Sequence, residues 1–294
     1  MENFKKYIKF FKLFIIAYVI VSFGFVLFFS GRDFLKVIFH INVFYFLIGI
    51  IIWILFIVLD GFRILIISKG IGKSLSLKIS IEFITSGSFF ALTTPFGGGG
   101  LIYQAWLLKK YNFSLNQTLS LIISRGICIF IPYLTFLPFV ISSVKSNLLK
   151  IFVIYAFLIA FIFFLVLIFK KEYRERLKEI NWKFLILAIL ISFPIQVIYL
   201  SFLYISLKTL SINSNFIDTL LRQVIMQLST YFQITPGGLG ISELIGSIII
   251  SENLDFKYIG FSIVLWRFFS GYLSGFMGFF FIINRLKAPT QGAN

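Results

Sequence analysis

The chain has 294 residues, of which 59% are hydrophobic, 20% aromatic and only 13% charged, and its formal net charge is +16. A water-soluble globule could not bury so much apolar surface, so the composition excludes a soluble enzyme or binding domain and predicts a polytopic membrane protein. The positive charge alone would suit a nucleic-acid partner, but its distribution along the chain argues against one and indicates membrane topology instead.

Six apolar runs are long enough to cross a bilayer core, which takes about 20 helical residues. The first run has a basic flank, but it is longer than the apolar part of a signal peptide and no small-residue cleavage site follows it. We therefore expect it to be an uncleaved span. The six predicted spans are residues 11–29, 41–61, 115–141, 150–170, 183–206 and 258–284.

Lysines and arginines favour one side of these spans, and the positive-inside rule assigns that side to the cytoplasm. It holds the basic residues of segments 5–12, 63–78, 109–110, 170–183 and 285–287, whereas the opposite side holds Arg32, Lys36, Lys145, Lys150, Lys208 and Lys257. We expect a cell-membrane protein with both termini in the cytoplasm, whose basic excess also attracts anionic lipid.

One loop sequence occurs twice, each time in an apolar segment that the six spans do not use. The first loop, Thr94-Pro95-Phe96-Gly97-Gly98-Gly99-Gly100, interrupts residues 79–108, and the second loop, Thr235-Pro236-Gly237-Gly238-Leu239-Gly240, interrupts residues 216–251. Proline and glycine break helices, and broken helices at membrane depth are tolerated where they are buried in protein or line a cavity. Because each arm reaches only about halfway through a ~30 Å core, both segments are predicted re-entrant hairpins. The alternative, a single kinked span, would invert the topology of all that follows.

The surroundings of the two loops also repeat. Matching positions hold Thr94 and Thr235, Phe90 and Tyr231, Ser88 and Ser229, Glu82 and Gln223, and nearly matching positions hold Arg125 and Arg267. Together with the charge pattern, this predicts an inverted-topology repeat, in which a central site is reached alternately from either side. The predicted fold is an all-α polytopic membrane protein of six transmembrane helices and two re-entrant hairpins. It forms one domain, 1–294, with repeat 1 at about 1–145 and repeat 2 at about 146–294.

The two loops suit an anionic ligand. Consecutive glycines can adopt positive φ and leave backbone N–H groups unshielded beside the positive N-terminus of the outgoing helix, where a phosphate binds well. Arginine binds phosphodiesters through two hydrogen bonds and, at membrane depth, usually marks a pathway or a partner. Alternatively, each arginine pairs with Glu243, Glu82 or free hairpin carbonyls. The candidate substrate-binding residues are Pro95, Gly97, Gly98, Gly99, Gly100, Arg125, Pro236, Gly237, Gly238, Gly240, Glu243 and Arg267.

Other charged residues in apolar surroundings have several interpretations. Glu243 could cap its helix or pair with an arginine, bind a headgroup ammonium, or couple transport to protons. Asp60 and Arg63 are three residues apart and predict a local ion pair at a helix end, at the membrane interface. Asp218 and Arg222, four residues apart, predict a second local pair.

The sequence holds no catalytic or cofactor-binding signature. It contains no HExxH helix, no Cys/His metal cluster, no Gly-x-Ser-x-Gly elbow and no phosphate-binding Gly-x-x-x-x-Gly-Lys-Ser/Thr loop. The single histidine, His40, and the single cysteine, Cys128, suit structural roles. We expect a protein that is not an enzyme and uses no cofactor, so that any transport depends on a gradient, ion coupling or lipid metabolism.

A family resemblance adds to this interpretation. The first loop followed by Arg125, and the segment Thr235-Pro-Gly-Gly-Leu-Gly-Ile-Ser-Glu243 followed by Arg267, resemble the integral-membrane domain of lysylphosphatidylglycerol synthases and related stand-alone flippase-like proteins. In the full-length synthases this domain is thought to move an aminoacylated phospholipid across the bilayer, and a separate soluble domain attaches the amino acid. Because the printed sequence ends at Asn294 without such a domain, the resemblance implies lipid translocation and gives no support for aminoacyl transfer.

Two functions remain open at this point. In the first, the paired hairpins meet near the midplane and pass an anionic or aminoacylated phospholipid, or a polyprenyl phosphate lipid, across the membrane. In the second, the chain is an accessory subunit that presents an acceptor lipid to a separate aminoacyl- or glycosyltransferase. Lipid transport by the protein alone in liposomes would distinguish them.

Overall fold

The computed structural model describes residues 16, 19–143, 147–169, 179–229, 235–251 and 254–287, and within these the regular structure is helical, which confirms the all-α prediction. The helices are α1 (19–30), α2 (Phe34–Phe39), α3 (Val43–Gly70), α4 (Leu77–Thr93), α5 (Gly98–Lys110), α6 (Leu115–Ser143), α7 (Asn147–Phe169), α8 (Trp182–Leu200), α9 (Phe202–Thr209), α10 (Phe216–Ser229), α11 (Ile241–Ser251), α12 (Phe256–Arg267) and α13 (Leu273–Lys287). Short 3-10 turns occupy Gly31–Asp33, Pro95–Gly97 and Pro236–Gly238, and a π-helical turn, Phe268–Tyr272, joins α12 to α13.

Among the described residues, four helical stretches are long and apolar enough to cross a membrane: Val43–Gly70, Leu115–Ser142, Trp182–Thr209 and Phe256–Arg285. They coincide with four of the predicted spans and support a multi-pass membrane protein. Helix α1 overlaps the later part of the span predicted at 11–29, and α7 overlaps the span predicted at 150–170; that these two helices also cross the membrane stays a prediction. The N-terminal basic segment 5–12, Lys145, the basic residues 170–178 and Tyr231 lie outside the described residues.

Helix α3 is longer than the span predicted at 41–61. It begins after Asn42, whose side chain caps it by accepting from the N–H of Phe44 at 3.1 Å, and it continues to Gly70. Asp60 and Arg63 therefore lie inside the helix, and they are only 1% and 2% exposed. The expected ion pair forms, but its predicted placement at a helix end was wrong, because α3 continues past both charges to Gly70.

Helices α4 and α5 fold back on each other. The Nε2 of Gln104 donates to the carbonyl of Phe83 at 3.3 Å, and a Cβ on Gly100 would lie 2.7 Å from the carbonyl oxygen of Gly87. Later residues of α5 thus meet earlier residues of α4, so the helices run antiparallel, side by side. One continuous kinked span would not produce these contacts.

Helices α10 and α11 form a second antiparallel pair. The Nη1 of Arg222 donates to the carbonyl of Ile249 at 2.6 Å, and a Cβ on Gly246 would lie 3.0 Å from the Cε of Met226. Both predicted hairpin segments therefore consist of two packed helices joined through a Thr-Pro loop.

The second loop lies against the end of α4, close to the first loop. A Cβ on Gly237 would lie 3.0 Å from the carbonyl oxygen of Leu92, and a Cβ on Gly275 of α13 would press on the side chain of the same leucine. Farther along, a Cβ on Gly278 would overlap the carbonyl of Thr85. Glycines thus allow α13 and the second loop to approach the α4 backbone closely, as is common between helices in membranes.

The apolar stretch predicted at 183–206 is divided into α8 and α9 at Ser201. Gln223, which the repeat matches with Glu82, bridges this break: its Oε1 accepts from the N–H of Leu203 at 2.6 Å, and its Nε2 donates to the carbonyl of Tyr199 at 2.8 Å. Backbone groups freed by the break are therefore satisfied by a neighbouring helix.

Candidate functional site

Three charged side chains form a cluster inside the helical bundle. Asp60 Oδ1 accepts from Arg63 Nε at 3.0 Å and from its Nη2 at 2.5 Å, and Asp60 Oδ2 accepts from Arg125 Nη2 at 3.1 Å. The Asp60 and Arg63 side chains are almost fully buried, whereas that of Arg125 on α6 remains 22% exposed. One carboxylate between two guanidinium groups leaves the cluster with one positive charge in excess.

The two arginines of this cluster differ in their remaining hydrogen-bonding capacity. Arg63 uses its third nitrogen, Nη1, to donate to Ser192 Oγ on α8 at 3.2 Å, so all of its nitrogens have partners. The Nε of Arg125 is buried and has no partner among the described residues. Arg125 is therefore the member of the cluster with a donor left for a ligand.

A cavity of about 190 Å³, here called the central cavity, opens beside this cluster. The Nε2 of Gln196, a residue only 4% exposed, is buried in its wall without a partner among the described residues. Beside it, the hydroxyl of Tyr199 donates to Gln227 Oε1 at 2.8 Å. The cavity is lined by Phe56, Asp60, Arg63, Ile84, Ser88, Arg125, Ile129, Tyr133, Gln196, Tyr199, Gln227, Ser270 and Ser274.

Arg267, the repeat counterpart of Arg125, has a different environment. Its Nε lies 3.3 Å from Glu243 Oε1, its Nη2 donates to the carbonyl of Gly237, and its Nε also lies 3.1 Å from the Tyr272 hydroxyl. The position in the first hairpin that corresponds to Glu243 is occupied by Ile102. Arg125 thus has no acid at the position that matches Glu243 and pairs with Asp60 on α3 instead. The expectation that Arg267 pairs with Glu243 and with a hairpin carbonyl agrees with these contacts.

Glu82, the other acid that could pair with Arg125 or Arg267, instead pairs with Arg285 on α13. Arg285 Nε donates to Glu82 Oε1, Arg285 Nη2 donates to Oε2 at 2.9 Å, and Nη2 also donates to the Tyr111 hydroxyl at 2.7 Å. The predicted local pair of Asp218 and Arg222 forms as well, with Arg222 Nε 2.9 Å from Oδ2. These acids are therefore engaged in ion pairs away from the central cavity.

The two loops share one backbone conformation. After the proline, Phe96 and Gly97 have φ of 57° and 67°, and Gly237 and Gly238 have φ of 61° and 68°. Two consecutive left-handed residues thus follow Pro95 and Pro236 alike. The match extends the sequence repeat to the backbone.

The loop N–H groups are largely occupied by the loops themselves. In the first loop Gly97 donates to the Thr94 carbonyl at 3.2 Å, and Gly99 donates to the Thr94 hydroxyl at 2.9 Å. In the second, Gly238 donates to the carbonyl of Thr235 at 2.9 Å, and Gly240 donates to Glu243 Oε2 at 2.7 Å. The expectation that these N–H groups are unshielded was wrong for these four glycines, because each tight turn brings its own acceptor within reach.

The remaining glycines of the first loop have separate roles. Gly98 has an ordinary helical φ of −61° and open space around it, so nothing there requires a glycine. A Cβ on Gly99 would lie 2.8 Å from the Thr94 hydroxyl oxygen, so this glycine permits close packing within the hairpin, as Gly100 does against α4.

The structure therefore divides the predicted site residues between two places. Arg125 lines the central cavity, whereas Glu243, Arg267 and the loop glycines are absent from its described lining. Asp60 and Gln196 also line the cavity but were not among the predicted site residues. A signal for Asp60 was present, since an ionisable residue within an apolar span is by default a functional candidate.

The family model of the lysylphosphatidylglycerol synthase TM region matches residues 14–278. No curated protein gives a significant match.

Proposed function

Because the chain belongs to the family of the lysylphosphatidylglycerol synthase TM region, a membrane family related to lipids, we propose that it transports a lipid. In this proposal the lipid phosphate binds at the central cavity, where Arg125 is its cationic partner. The protein performs no chemistry on the lipid and moves its headgroup between the two membrane surfaces.

The observation that carries the proposal is the excess positive charge of the Asp60, Arg63 and Arg125 cluster. Removing a charged group from water costs several kcal/mol per ion even after relaxation, and a paired carboxylate offsets this only for one of the two arginines. A phosphodiester carries one negative charge and would neutralise the cluster. The unpartnered Nε of Arg125 supplies a hydrogen bond to it.

The cluster is also suited to reversible binding. Asp60 is held by Arg63 through two hydrogen bonds and by Arg125 through one, at 3.1 Å. When the lipid phosphate binds Arg125, the Asp60 carboxylate remains paired with Arg63. Arg125 can therefore alternate between Asp60 and a lipid phosphate without leaving Asp60 as an unpaired buried charge. A transport site needs such reversible binding in order to release its substrate.

The size of the cavity agrees with a headgroup site. Pockets that enclose a whole drug-sized ligand measure roughly 300–1,000 Å³, whereas the central cavity measures about 190 Å³. It would accommodate a phosphate with a small headgroup, while the acyl chains stay in the apolar surroundings. A lipid transporter needs this separation between a polar site for the headgroup and apolar surroundings for the acyl chains.

The proposed membrane arrangement follows the sequence prediction. Six helices cross the cell membrane, both termini lie in the cytoplasm, and the α4–α5 and α10–α11 hairpins are re-entrant, the first from inside and the second from outside. Their Thr-Pro loops, which share one backbone conformation and meet near Leu92, support an inverted-topology repeat. The loops in this arrangement form the rigid centre around which the two repeats move.

Reconstitution tests the proposal. Liposomes that contain fluorescent phosphatidylglycerol are treated with a membrane-impermeant quencher, and the fraction of lipid that becomes accessible over time is measured with and without the purified protein. Wild-type protein should expose inner-leaflet lipid, and Arg125→Gln should slow this exposure strongly. Arg125→Lys should give an intermediate rate, because it keeps the charge but loses the planar fork.

Lys109→Gln is the matched control, because it removes one cation from an exposed position at the end of α5. It should transport as wild type does. A wild-type protein that binds lipid but exposes none of it would instead support an accessory subunit that presents lipid to a separate transferase. Equal transport by wild type and Arg125→Gln would show that the central cavity is not the pathway.

A further inference from the structure

The proposed lipid site leaves the headgroup chemistry open, and the described residues restrict it. We infer that the central cavity selects phospholipids whose headgroup is uncharged and carries hydroxyl groups, and that it rejects headgroups with an ammonium group. This inference rests on the proposed function and narrows its substrate class.

The first argument is the absence of a free carboxylate. The described lining of the central cavity contains one acid, Asp60, and both of its oxygens are bound by arginines. The other two carboxylates buried within the described part of the bundle, Glu82 and Glu243, are also paired with arginines. An ammonium group that entered the cavity would therefore meet no available acid there.

The second argument is the net positive charge of the cluster beside the cavity. The phosphate of a bound lipid cancels the one positive charge in excess at the cluster, so each ammonium group of an aminoacylated headgroup would add a positive charge that the described lining does not compensate. Like charges placed next to each other in a binding site weaken binding. A phosphodiester with a neutral headgroup is attracted by the cluster and brings no such additional positive charge.

The third argument is the character of the remaining polar wall. Gln196 offers a buried Nε2 without a partner among the described residues, and the hydroxyls of Ser88 and Ser270 also line the cavity. An amide N–H that is buried without an acceptor destabilises the protein, and the oxygen of a ligand hydroxyl would supply the missing acceptor. Neutral donors and acceptors around one cationic group suit a polyol esterified to phosphate.

The inference is tested by the thermal unfolding of the purified protein in detergent with short-chain lipids. Four lipids are compared: phosphatidylglycerol, phosphatidic acid, phosphatidylethanolamine and lysylphosphatidylglycerol. Ligands that bind the folded state raise its unfolding temperature with concentration, which gives a relative affinity for each lipid. Phosphatidylglycerol should bind about tenfold or more tightly than the two lipids with ammonium groups.

Two variants assign the selectivity to this cavity. Arg125→Gln makes the cluster neutral, so the preference for phosphatidylglycerol over phosphatidylethanolamine should largely disappear. Gln196→Leu should weaken binding of phosphatidylglycerol but not of phosphatidic acid, which has no headgroup hydroxyls. Lys109→Gln should leave all four affinities unchanged, and it thereby controls for the overall charge of the protein.

The outcomes separate this inference from the proposed function. Equal or tighter binding of lysylphosphatidylglycerol, or selectivity that persists in Arg125→Gln, would overturn the inference while leaving lipid transport intact. If no lipid shifts the unfolding temperature, or if soluble glycerol phosphate binds as tightly as phosphatidylglycerol, the proposed lipid site is wrong. The liposome assay should then show no transport.

Discussion

The Nε of Arg267 lies 3.3 Å from Oε1 of Glu243, and this buried pair fixes the second loop from both sides. The other carboxylate oxygen of Glu243 accepts from the N–H of Gly240 at 2.7 Å, and Arg267 donates to the carbonyl of Gly237. The arginine and the acid thus hold opposite ends of the turn that follows Pro236. The pair stabilises the loop and leaves no excess charge for a ligand.

Arg267→Ala should therefore destabilise the protein. Loss of one partner of a buried ion pair typically costs about 3–5 kcal/mol, because the remaining charge stays buried. The double variant Arg267→Ala with Glu243→Ala should recover part of this loss, since it removes the unpaired carboxylate. Thermal unfolding of the two single variants and the double variant in detergent measures the coupling. Strictly additive losses would contradict a direct pair.

Arg63 and Arg125 share Asp60 but should respond oppositely to substitution. Arg63→Ala removes three hydrogen bonds from a side chain that is 2% exposed, so it should cost about 3 kcal/mol or more. Arg125→Ala leaves Asp60 paired with Arg63 and should cost less than about 1 kcal/mol, while lipid transport falls sharply. Stability is measured by thermal unfolding and transport in liposomes. A folded, inactive Arg63→Ala beside an unfolded Arg125→Ala would reverse these roles.

The loops and the Arg267 pair were accessible from the sequence because their determinants are contiguous or repeated. The proline and glycines mark the break, and Glu243 follows within the first turn of α11. The cluster at the central cavity could not be derived in this way. Asp60 and Arg125 are far apart in the chain, and which acid meets which arginine depends on how α3 and α6 pack. Likewise, nothing local in the sequence links Glu82 to Arg285.

The hydropathy pattern also placed the end of α3 too early, and this helix carries two residues of the cluster at the central cavity. The span predicted at 41–61 ends next to Asp60 and Arg63, yet α3 continues to Gly70. The carboxylate and the guanidinium neutralise each other within one helical turn, so the helix bears both in its interior. A spacing of three residues predicts only a local ion pair, so it gave no indication that Asp60 also binds Arg125.

Two loop glycines should differ in their tolerance of a methyl group. Gly237 has φ of 61°, and a Cβ there would lie 3.0 Å from the Leu92 carbonyl oxygen, so Gly237→Ala should cost about 1–3 kcal/mol. Gly98 has φ of −61° and no atom near its Cβ position, so Gly98→Ala should be neutral or stabilise by up to about 1 kcal/mol. Thermal unfolding of both variants tests this, and equal losses would mean that the loops do not meet at Leu92.

The proposed topology predicts which surfaces carry each loop. Single cysteines introduced at Lys73 and Lys110 should react with a membrane-impermeant thiol reagent only from the cytoplasm, and cysteines at Lys208 and Lys257 only from outside. The native Cys128 is fully buried and should stay unreactive in the parent protein, which serves as the background control. Labelling of Lys73 and Lys110 from opposite faces would show that α4 and α5 cross the membrane once and would exclude a re-entrant hairpin.

Phe96 provides a test of the shared loop conformation. It has φ of 57°, although a left-handed backbone costs residues other than glycine roughly 1–2 kcal/mol, and its side chain is 75% exposed. The equivalent position in the second loop is Gly237. Phe96→Gly should therefore raise the unfolding temperature by removing this strain. Phe96→Ala keeps a Cβ and the strain, so it should not stabilise the protein and controls for loss of the aromatic ring. If alanine stabilises as much as glycine, the gain comes from the ring, and the backbone match between the loops has no energetic consequence.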